Sequence, residues 1–197
     1  MQIPIFPLNG AVLYPETNLP LNIFEDRYIE MVEYALSNKR LIGMIQTDEK
    51  ENLFKVGCLG KITSFNETKD GRYLINLEGI NLFLLKKEIS SDFKFRMIEA
   101  TSIQYNTDKH DIDDNIKKSL LNKYGKYIKI KKIDLNISEL EKLTVKQLAK
   151  LIAMVSPFDH VDKQMLLEIS IPNEFCKKLI SILDIELVNE SSEKTIN

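Results

Sequence analysis

The chain has 197 residues, with 27 lysine and arginine residues against 29 aspartate and glutamate residues. Its apolar fraction of 44% and charged fraction of 28% are typical of a globular protein and exclude wholesale disorder. The net charge of −2 disfavours nucleic-acid binding through the whole surface. No apolar run approaches the roughly 20 residues that a membrane-spanning helix needs.

The first hundred residues carry the alternating pattern of β-strands. An alternating run at residues 73–77 resumes on the opposite parity after Gly79, which predicts a β-bulge that bends the strand as barrel closure requires. Asp70-Gly71 predicts a hairpin turn before this strand. Further strands are predicted at residues 3–6, 41–45, 58–65 and 93–105.

One helix is predicted within this β region, over residues 24–38. Tyr28, Met31 and Val32 recur at helical spacing there, and Glu25 and Asp26 stand in the first turn, where the helix dipole favours carboxylates. The chain opens without the positive region and long apolar stretch of a signal peptide. Two cysteines far apart in the sequence form no disulfide framework, so we expect a cytoplasmic protein with buried, reduced thiols.

The second half of the chain has helical periodicity. Apolar residues step by four over residues 112–128, and Thr144 with Gln147 predicts a capping box for a helix that ends at Ser156-Pro157. Two more helices are predicted, a short one opened by Asp159 and Asp162 and a last one with Pro172 in its first turn. The sequence therefore predicts an α+β protein with a β-rich lobe at residues 1–106, a helical lobe at 107–187 and a flexible tail at 188–197.

Several motifs in the β-rich lobe stand in an order that identifies a family. They closely resemble the N-terminal domain of the ATP-dependent Lon protease, and are closer still to short bacterial proteins that consist of this domain alone. The helical half contains a similar segment at residues 162–168, and the resemblance covers roughly residues 1–187. The motifs are Ile3-Pro4-Ile5-Phe6-Pro7-Leu8, Val12-Leu13-Tyr14-Pro15, Leu19-Pro20-Leu21-Asn22-Ile23-Phe24-Glu25-Asp26-Arg27-Tyr28, Val56-Gly57-Cys58-Leu59-Gly60 and Asp70-Gly71-Arg72-Tyr73.

The resemblance implies a PUA-like pseudo-barrel of antiparallel strands followed by a helical bundle. It also implies recognition of polypeptide substrates, because this region is the substrate-binding module of the full protease. The ATPase and Ser–Lys protease domains have no counterpart in the sequence. We therefore expect a non-catalytic protein that binds exposed apolar polypeptide segments as an adaptor or holdase, with no cofactor and with a protease as a candidate partner.

Five residues of the β-rich lobe are candidates for polypeptide binding. Tyr14, Leu19 and Phe24 come from loops and helix ends near prolines, where a stiff backbone can hold apolar side chains in solvent. Arg27 and Tyr28 complete the set. Core packing is an equal alternative for each apolar residue, and for Arg27 an ion pair that ties the helix start to a carboxylate such as Glu25 or Glu78 is favoured.

Three patterns that could carry chemistry fit structural roles better. The segment 57–61 lacks the first glycine and the final hydroxyl of a phosphate-binding loop. The acidic run 108–114 lacks the glycine and terminal glutamate of a calcium loop, and His160 beside Asp159 lacks a nucleophile motif. The sequence therefore predicts no catalytic, cofactor-binding or metal-binding residue.

A lysine-rich stripe from Lys117 to Lys132 supports one alternative, an RNA-binding PUA-like module. Its lysines could grip phosphates while Tyr124 and Tyr127 stack on bases. Against this reading, lysines complement the dipole at a helix end, and Tyr124 lies in phase with the apolar face. The lysines of the stripe are Lys117, Lys118, Lys123, Lys126, Lys129, Lys131 and Lys132.

Overall fold

The protein is an α+β structure, as the sequence predicts, with six strands and six helices in the part of the chain that the structure describes. The computed structural model describes residues 1–103, 112 and 114–196. The chain divides into two compact units. The first comprises Met1–Tyr105 and Phe158–Leu167, and the second comprises Asn106–Pro157 and Glu168–Asn197.

Six strands of the first unit form one sheet in the order β2–β5–β4–β3–β1–β6, and β5 also pairs with β6. The second pairing closes β1, β3, β4, β5 and β6 into a barrel, because β5 is long enough to bend and meet both β4 and β6. Strand β2 pairs with the first half of β5 only. The strands are β1 Gln2–Pro7, β2 Asn18–Ile23, β3 Leu41–Ile45, β4 Val56–Glu67, β5 Tyr73–Ile89 and β6 Met97–Ile103.

One strand pair differs from the predicted antiparallel barrel. Strands β1 and β3 run parallel, with Ile5 opposite Gly43. The chain between them forms β2 and helix α1 (Asp26–Leu36), which gives the long connection that a parallel pair requires. Alternation along each strand does not reveal its direction relative to a neighbour, so the sequence could not separate these cases.

The predicted bulge and hairpin turn are both confirmed. Gly60 pairs with Gly79 and Leu59 with Asn81, so Ile80 is the extra residue of the bulge. Gly71 has a φ of 80°, a conformation that a residue with a Cβ rarely adopts, and it forms the turn between β4 and β5. The tight turn and the bulge let the long strand β5 pair with β4 and, after it bends, with β6.

The barrel interior is filled by aliphatic side chains and one phenylalanine. The cluster consists of Ile3, Ile5, Ile45, Leu59, Phe83, Ile98 and Ala100. The strand predicted at 93–105 is shorter than expected, because Phe93 and Phe95 precede β6 and stack on each other at 4.8 Å. Both rings pack against Tyr34 of α1 instead of continuing the strand. The end of that predicted strand, Tyr105, lies outside the described residues.

Helix α5 (His160–Glu168) lies mostly in the first unit, and the other four helices after the barrel lie in the second unit. In the second unit, Thr144 and Gln147 form the predicted capping box of α4. The structure adds a short helix, α3, which is capped by Asn136 and was not predicted. The helices of the second unit are α2 Asp114–Lys131, α3 Ile137–Glu141, α4 Val145–Val155 and α6 Pro172–Ile196.

Helix α6 begins at Pro172 as predicted, but it continues to Ile196 where the sequence predicts a flexible tail. Residues 188–196 contain no proline or glycine, so nothing in that segment ends the helix. Within the described part of the chain, no helix is long and apolar enough to cross a membrane.

Candidate functional site

Strand β2 and the first half of β5 present a solvent-facing surface with apolar side chains. In the antiparallel register, Pro20 lies opposite Asn76 and Asn22 lies opposite Leu74. Phe24 follows β2 directly and is 62% exposed, while Leu74 is 46% exposed. We call Pro20, Asn22, Phe24, Leu74 and Asn76 the β2–β5 face. Large apolar side chains exposed to solvent on one part of a protein are typical of an interaction surface.

The other side of β2 faces the interior, because successive side chains of a strand point in opposite directions. Ile23 is buried, and Leu19 and Leu21 are half-buried. Leu19, one of the five predicted binding residues, therefore lies on the inner side of the strand. On its other edge β2 has no strand partner within residues 1–103, 112 and 114–196.

A tight loop before β2 is fixed against Gly79. Glu16 N donates to Gly79 O at 2.8 Å, and Gly79 N donates to Thr17 O at 2.9 Å. The Thr17 hydroxyl closes the loop by donating to Tyr14 O at 2.7 Å. The Tyr14 side chain is buried, so this predicted binding residue holds the loop in place below the surface.

The start of α1 places the last two predicted residues at different depths. Arg27 Nη2 lies 2.8 Å from Glu25 Oε2, so of the two partners proposed from the sequence, Glu25 and Glu78, the ion pair forms with Glu25. The Arg27 guanidinium lies 4.6 Å from the centroid of the Tyr28 ring. Tyr28 is buried against Phe6, with ring centroids 4.3 Å apart, and burial raises the pKa of its hydroxyl. Of the five residues, Phe24 and Arg27 are therefore the ones that solvent reaches freely.

A buried polar network joins α5 to the barrel within the first unit. Gln164 Nε2 donates to Val56 O at 3.0 Å, and Gln46 Nε2 donates to Gln164 Oε1 at 3.0 Å. Gln46 Oε1 accepts from Gly10 N at 3.1 Å, and Lys163 Nζ donates to Gly10 O at 2.8 Å. Burial lowers the pKa of the Lys163 ammonium. These bonds give the segment 162–168 a structural role.

The patterns that could carry chemistry occupy structural positions in the described residues. The segment 57–61 lies inside β4, and the His160 ring packs against Phe54 with centroids 6.3 Å apart. Asp159 accepts from Val161 N at 2.8 Å, as a helix-capping residue does. Among the described side chains, no group of acidic, histidine or cysteine residues could hold a metal ion. Most of the acidic run 108–114, including His110, lies outside the described residues.

The lysine stripe of α2 is partly used within the second unit. Lys117 Nζ donates to Glu141 O at 2.8 Å, Lys123 pairs with Asp184, and Lys131 Nζ lies 3.4 Å from Glu186 Oε2. Tyr124 and Tyr127 are buried and stack on each other at 6.0 Å. Their rings are therefore not exposed platforms on which bases could stack.

Both cysteines are buried, as the sequence predicts. Cys58 lies in β4, and Cys176 lies in α6. Burial raises the pKa of the Cys176 thiol to about 11, which keeps the thiolate scarce at neutral pH.

Comparison with known proteins identifies the family. Residues 2–184 match the model of the ATP-dependent protease La (LON) substrate-binding domain, and the chain belongs to this family. The Lon protease of Buchnera aphidicola subsp. Baizongia pistaciae is 27% identical over 207 residues, and that of Escherichia coli is 26% identical over 206 residues. Each alignment covers 100% of this chain and 26% of the relative, so the chain spans about a quarter of the length of these curated relatives.

Solved structures confirm the fold. A Lon N-terminal domain protein from Xanthomonas campestris has a TM-score of 0.69 at 18% identity, covering 92% of this chain and 98% of that one. The N-terminal domain of the Mycobacterium avium complex Lon protease has a TM-score of 0.67 at 16% identity, covering 93% and 98%. The resemblance stated from the sequence motifs is therefore confirmed.

Sequence reasoning missed two parts of the site. Pro20 and Leu74 join Phe24 on one surface only through the β2–β5 register, which the motif around Pro20 does not disclose. Gln46 and Gln164 are buried despite being polar. A glutamine inside the apolar pattern of α5 was the available signal, since Leu166 and Leu167 beside it are buried as well.

Proposed function

We propose that this chain binds exposed apolar segments of unfolded polypeptides across the β2–β5 face, without itself catalysing a reaction. One observation carries the proposal: the side chains of Phe24 and Leu74 remain exposed to solvent beside a strand with a fixed backbone. Strand β2 is held by its pairing with β5, and the loop before it is held by hydrogen bonds to Gly79. The family's substrate-binding role supports it. Action as an adaptor or holdase in the cytoplasm, with or without a protease partner, is part of the same proposal.

Binding would rest on apolar burial, with the strand backbone in a supporting role. Fully burying a phenylalanine or leucine side chain contributes about 1.5–3 kcal/mol, and Phe24 and Leu74 retain roughly half of that potential. Strand β2 could also accept an extended segment along its unpaired edge, although Pro20 lacks a donor there. The expected affinity is on the order of micromolar, about −8 kcal/mol.

The proposal places Phe24 and Arg27 in contact with the bound segment and gives the other three predicted residues supporting positions. Leu19 and Tyr14 hold the strand and its entry loop, and Tyr28 seats the start of α1 on Phe6. Substitutions at the supporting residues would therefore lower stability before they lower affinity.

A binding titration tests the proposal. A reduced and alkylated, permanently unfolded protein is titrated with the full chain, and binding is followed by fluorescence anisotropy. Phe24→Ser and Leu74→Ser should each weaken binding by about fivefold to tenfold. Ile185→Ser is the matched control, because Ile185 is 55% exposed but lies in the second unit, and it should leave affinity within about twofold. Equal losses for all three variants, or no binding by the unaltered chain, would refute the proposal.

A further inference from the structure

The loop after β1 contains an Asn-Gly pair, Asn9-Gly10, which occurs once in the sequence. Asn9 is exposed, and Gly10 has a φ of 75°, a conformation that favours glycine. In such a pair the glycine nitrogen can attack the asparagine carboxamide, because no Cβ hinders its approach. Apart from its chain neighbours, no described residue lies within 4 Å of the place that a Gly10 Cβ would take, so the loop has room to change shape.

The reaction of this pair needs only water as a co-reactant. The Gly10 nitrogen forms a bond to Cγ of Asn9 and loses its proton, while the amide nitrogen of Asn9 leaves with that proton as ammonia. Water then opens the succinimide ring at one of its two carbonyl carbons. One opening gives aspartate in a normal main chain. The other gives isoaspartate, in which the main chain runs through the former side chain and is longer by one carbon.

Two side chains of the buried polar network restrain Gly10. The Gly10 N–H donates to Gln46 Oε1 at 3.1 Å, and the Gly10 carbonyl oxygen accepts from Lys163 Nζ at 2.8 Å. Attack on Asn9 requires the Gly10 nitrogen to give up its proton and turn toward the carboxamide, so its bond to Gln46 must break first. An intact network therefore slows the reaction.

Helix α5 fixes the acceptor that restrains Gly10. Gln46 is 1% exposed, and its Nε2 donates to Gln164 Oε1 at 3.0 Å and to His160 O at 3.1 Å, which directs Oε1 to Gly10. His160, Lys163 and Gln164 all belong to α5, and all of these contacts lie within the first unit. Local opening of α5 would therefore release Gln46 and Gly10 together.

We propose that Asn9-Gly10 is a site of spontaneous deamidation whose rate is set by the docking of α5 through Gln46. The isoaspartyl product lengthens the main chain before Gly10, which moves Gly10 relative to Gln46 and Lys163 and weakens the docking of α5. The change is irreversible, because the released ammonia is lost to solvent. The site thus converts repeated opening of α5 into a permanent mark on the chain, independently of any polypeptide binding.

Timed incubation of the full chain at mildly alkaline pH, followed by proteolysis and fragmentation mass spectrometry, measures deamidation at Asn9. Gln46→Met removes the acceptor from the Gly10 N–H and should speed the reaction by about threefold to tenfold. Gln164→Leu frees Gln46 and should speed it as well. Asn9→Gln is the control at the site itself, because its longer side chain would have to close a larger ring, and it should show no measurable deamidation there.

Ile98→Ala separates control by the network from a general loss of stability. Ile98 is buried in the barrel cluster and carries no group of the network. When urea brings Ile98→Ala and Gln46→Met to the same free energy of unfolding, Gln46→Met should still deamidate at least about threefold faster. Gln164→Leu takes the place of Gln46→Met if that variant fails to fold by circular dichroism. Equal rates at matched stability, or a folded chain that deamidates as fast as the chain unfolded in urea, would overturn the proposal.

Hydrogen exchange tests the effect of the modification on α5. The isoaspartyl form, separated by chromatography from the aged chain, should exchange faster in α5 than the Asn9→Asp variant, which has the same charge but a normal main chain. Equal exchange in the two proteins would show that the modification does not loosen α5 and would refute that part of the proposal.

Discussion

Replacing Gly79 with alanine should destabilise the first unit severely, because there is no room for a side chain. A Cβ at this position would lie 2.0 Å from Tyr14 O and 2.8 Å from Tyr14 C. These are backbone atoms, so no side-chain rotation can relieve the overlap. The entry loop of β2 would have to move by more than about 1 Å to restore an ordinary contact of about 3.5 Å.

The cost follows from the bonds that such a movement breaks. Glu16 N to Gly79 O and Gly79 N to Thr17 O are short backbone bonds of 2.8 and 2.9 Å. Each contributes about 0.5–1.5 kcal/mol, and forcing atoms into a packed site typically costs about 1–3 kcal/mol more. Gly79→Ala should therefore lower the free energy of unfolding by about 2–6 kcal/mol.

Gly125→Ala is the matched control, since it makes the same chemical change in the interior of α2. The nearest atom to a Cβ there is Ile137 Cδ1 at 3.5 Å, an ordinary contact. Alanine is favoured over glycine inside a helix by up to about 1 kcal/mol, so this variant should be slightly more stable. The two alanine substitutions thus have opposite expected signs.

Urea unfolding followed by far-UV circular dichroism measures both variants, and hydrogen exchange at the Glu16 and Gly79 amides localises the damage in Gly79→Ala. Faster exchange at these amides should accompany the loss of stability. A Gly79→Ala protein as stable as the unaltered chain, or one with unchanged protection at these amides, would refute the close-approach argument.

Two further predictions concern buried groups. Gln164→Leu should lower the free energy of unfolding by about 2–4 kcal/mol, because it removes the Gln164 donor from Val56 O and leaves the buried Gln46 with fewer partners. Met165→Leu on the exposed side of the same helix should change the free energy of unfolding by less than about 0.5 kcal/mol in the same urea titration. Burial raises the pKa of Cys176 from 9.0 to about 11, so the folded state holds its proton over a range where the unfolded state loses it. Stability should consequently fall between about pH 9 and 11, by at most about 2–3 kcal/mol, and a Cys176→Ala protein unfolding with the same pH slope would contradict this.

Local features of the fold could be predicted from the sequence because they depend on neighbouring residues. The turn at Gly71, the bulge after Gly79 and the capping box of Thr144 each need only a few residues in a fixed order. The parallel pairing of β1 with β3 depends on contacts between distant segments, and alternation is identical for either direction. The short helix α3 was missed because five residues are too few to establish a helical period.

The candidate site was only partly predictable, because exposure depends on which neighbours a strand acquires. Phe24 and Tyr28 belong to one motif and have similar apolar character, yet Phe24 stays in solvent while Tyr28 packs on Phe6. The difference arises from the direction that α1 takes after β2, which the motif does not encode. Leu74 entered the face through its pairing with Asn22, a contact between segments about fifty positions apart in the chain.

The β2–β5 face gains its rigidity from backbone pairing and from the loop that precedes β2. The six paired positions of β2 fix it along β5, and the loop closed by Thr17 against Gly79 fixes its start. Because this backbone is ordered before any partner arrives, docking would cost little conformational entropy in the protein, and more of the free energy of apolar burial would remain as affinity. A surface built this way would tolerate varied apolar partners, since Phe24 and Leu74 offer contact area while making few directional demands.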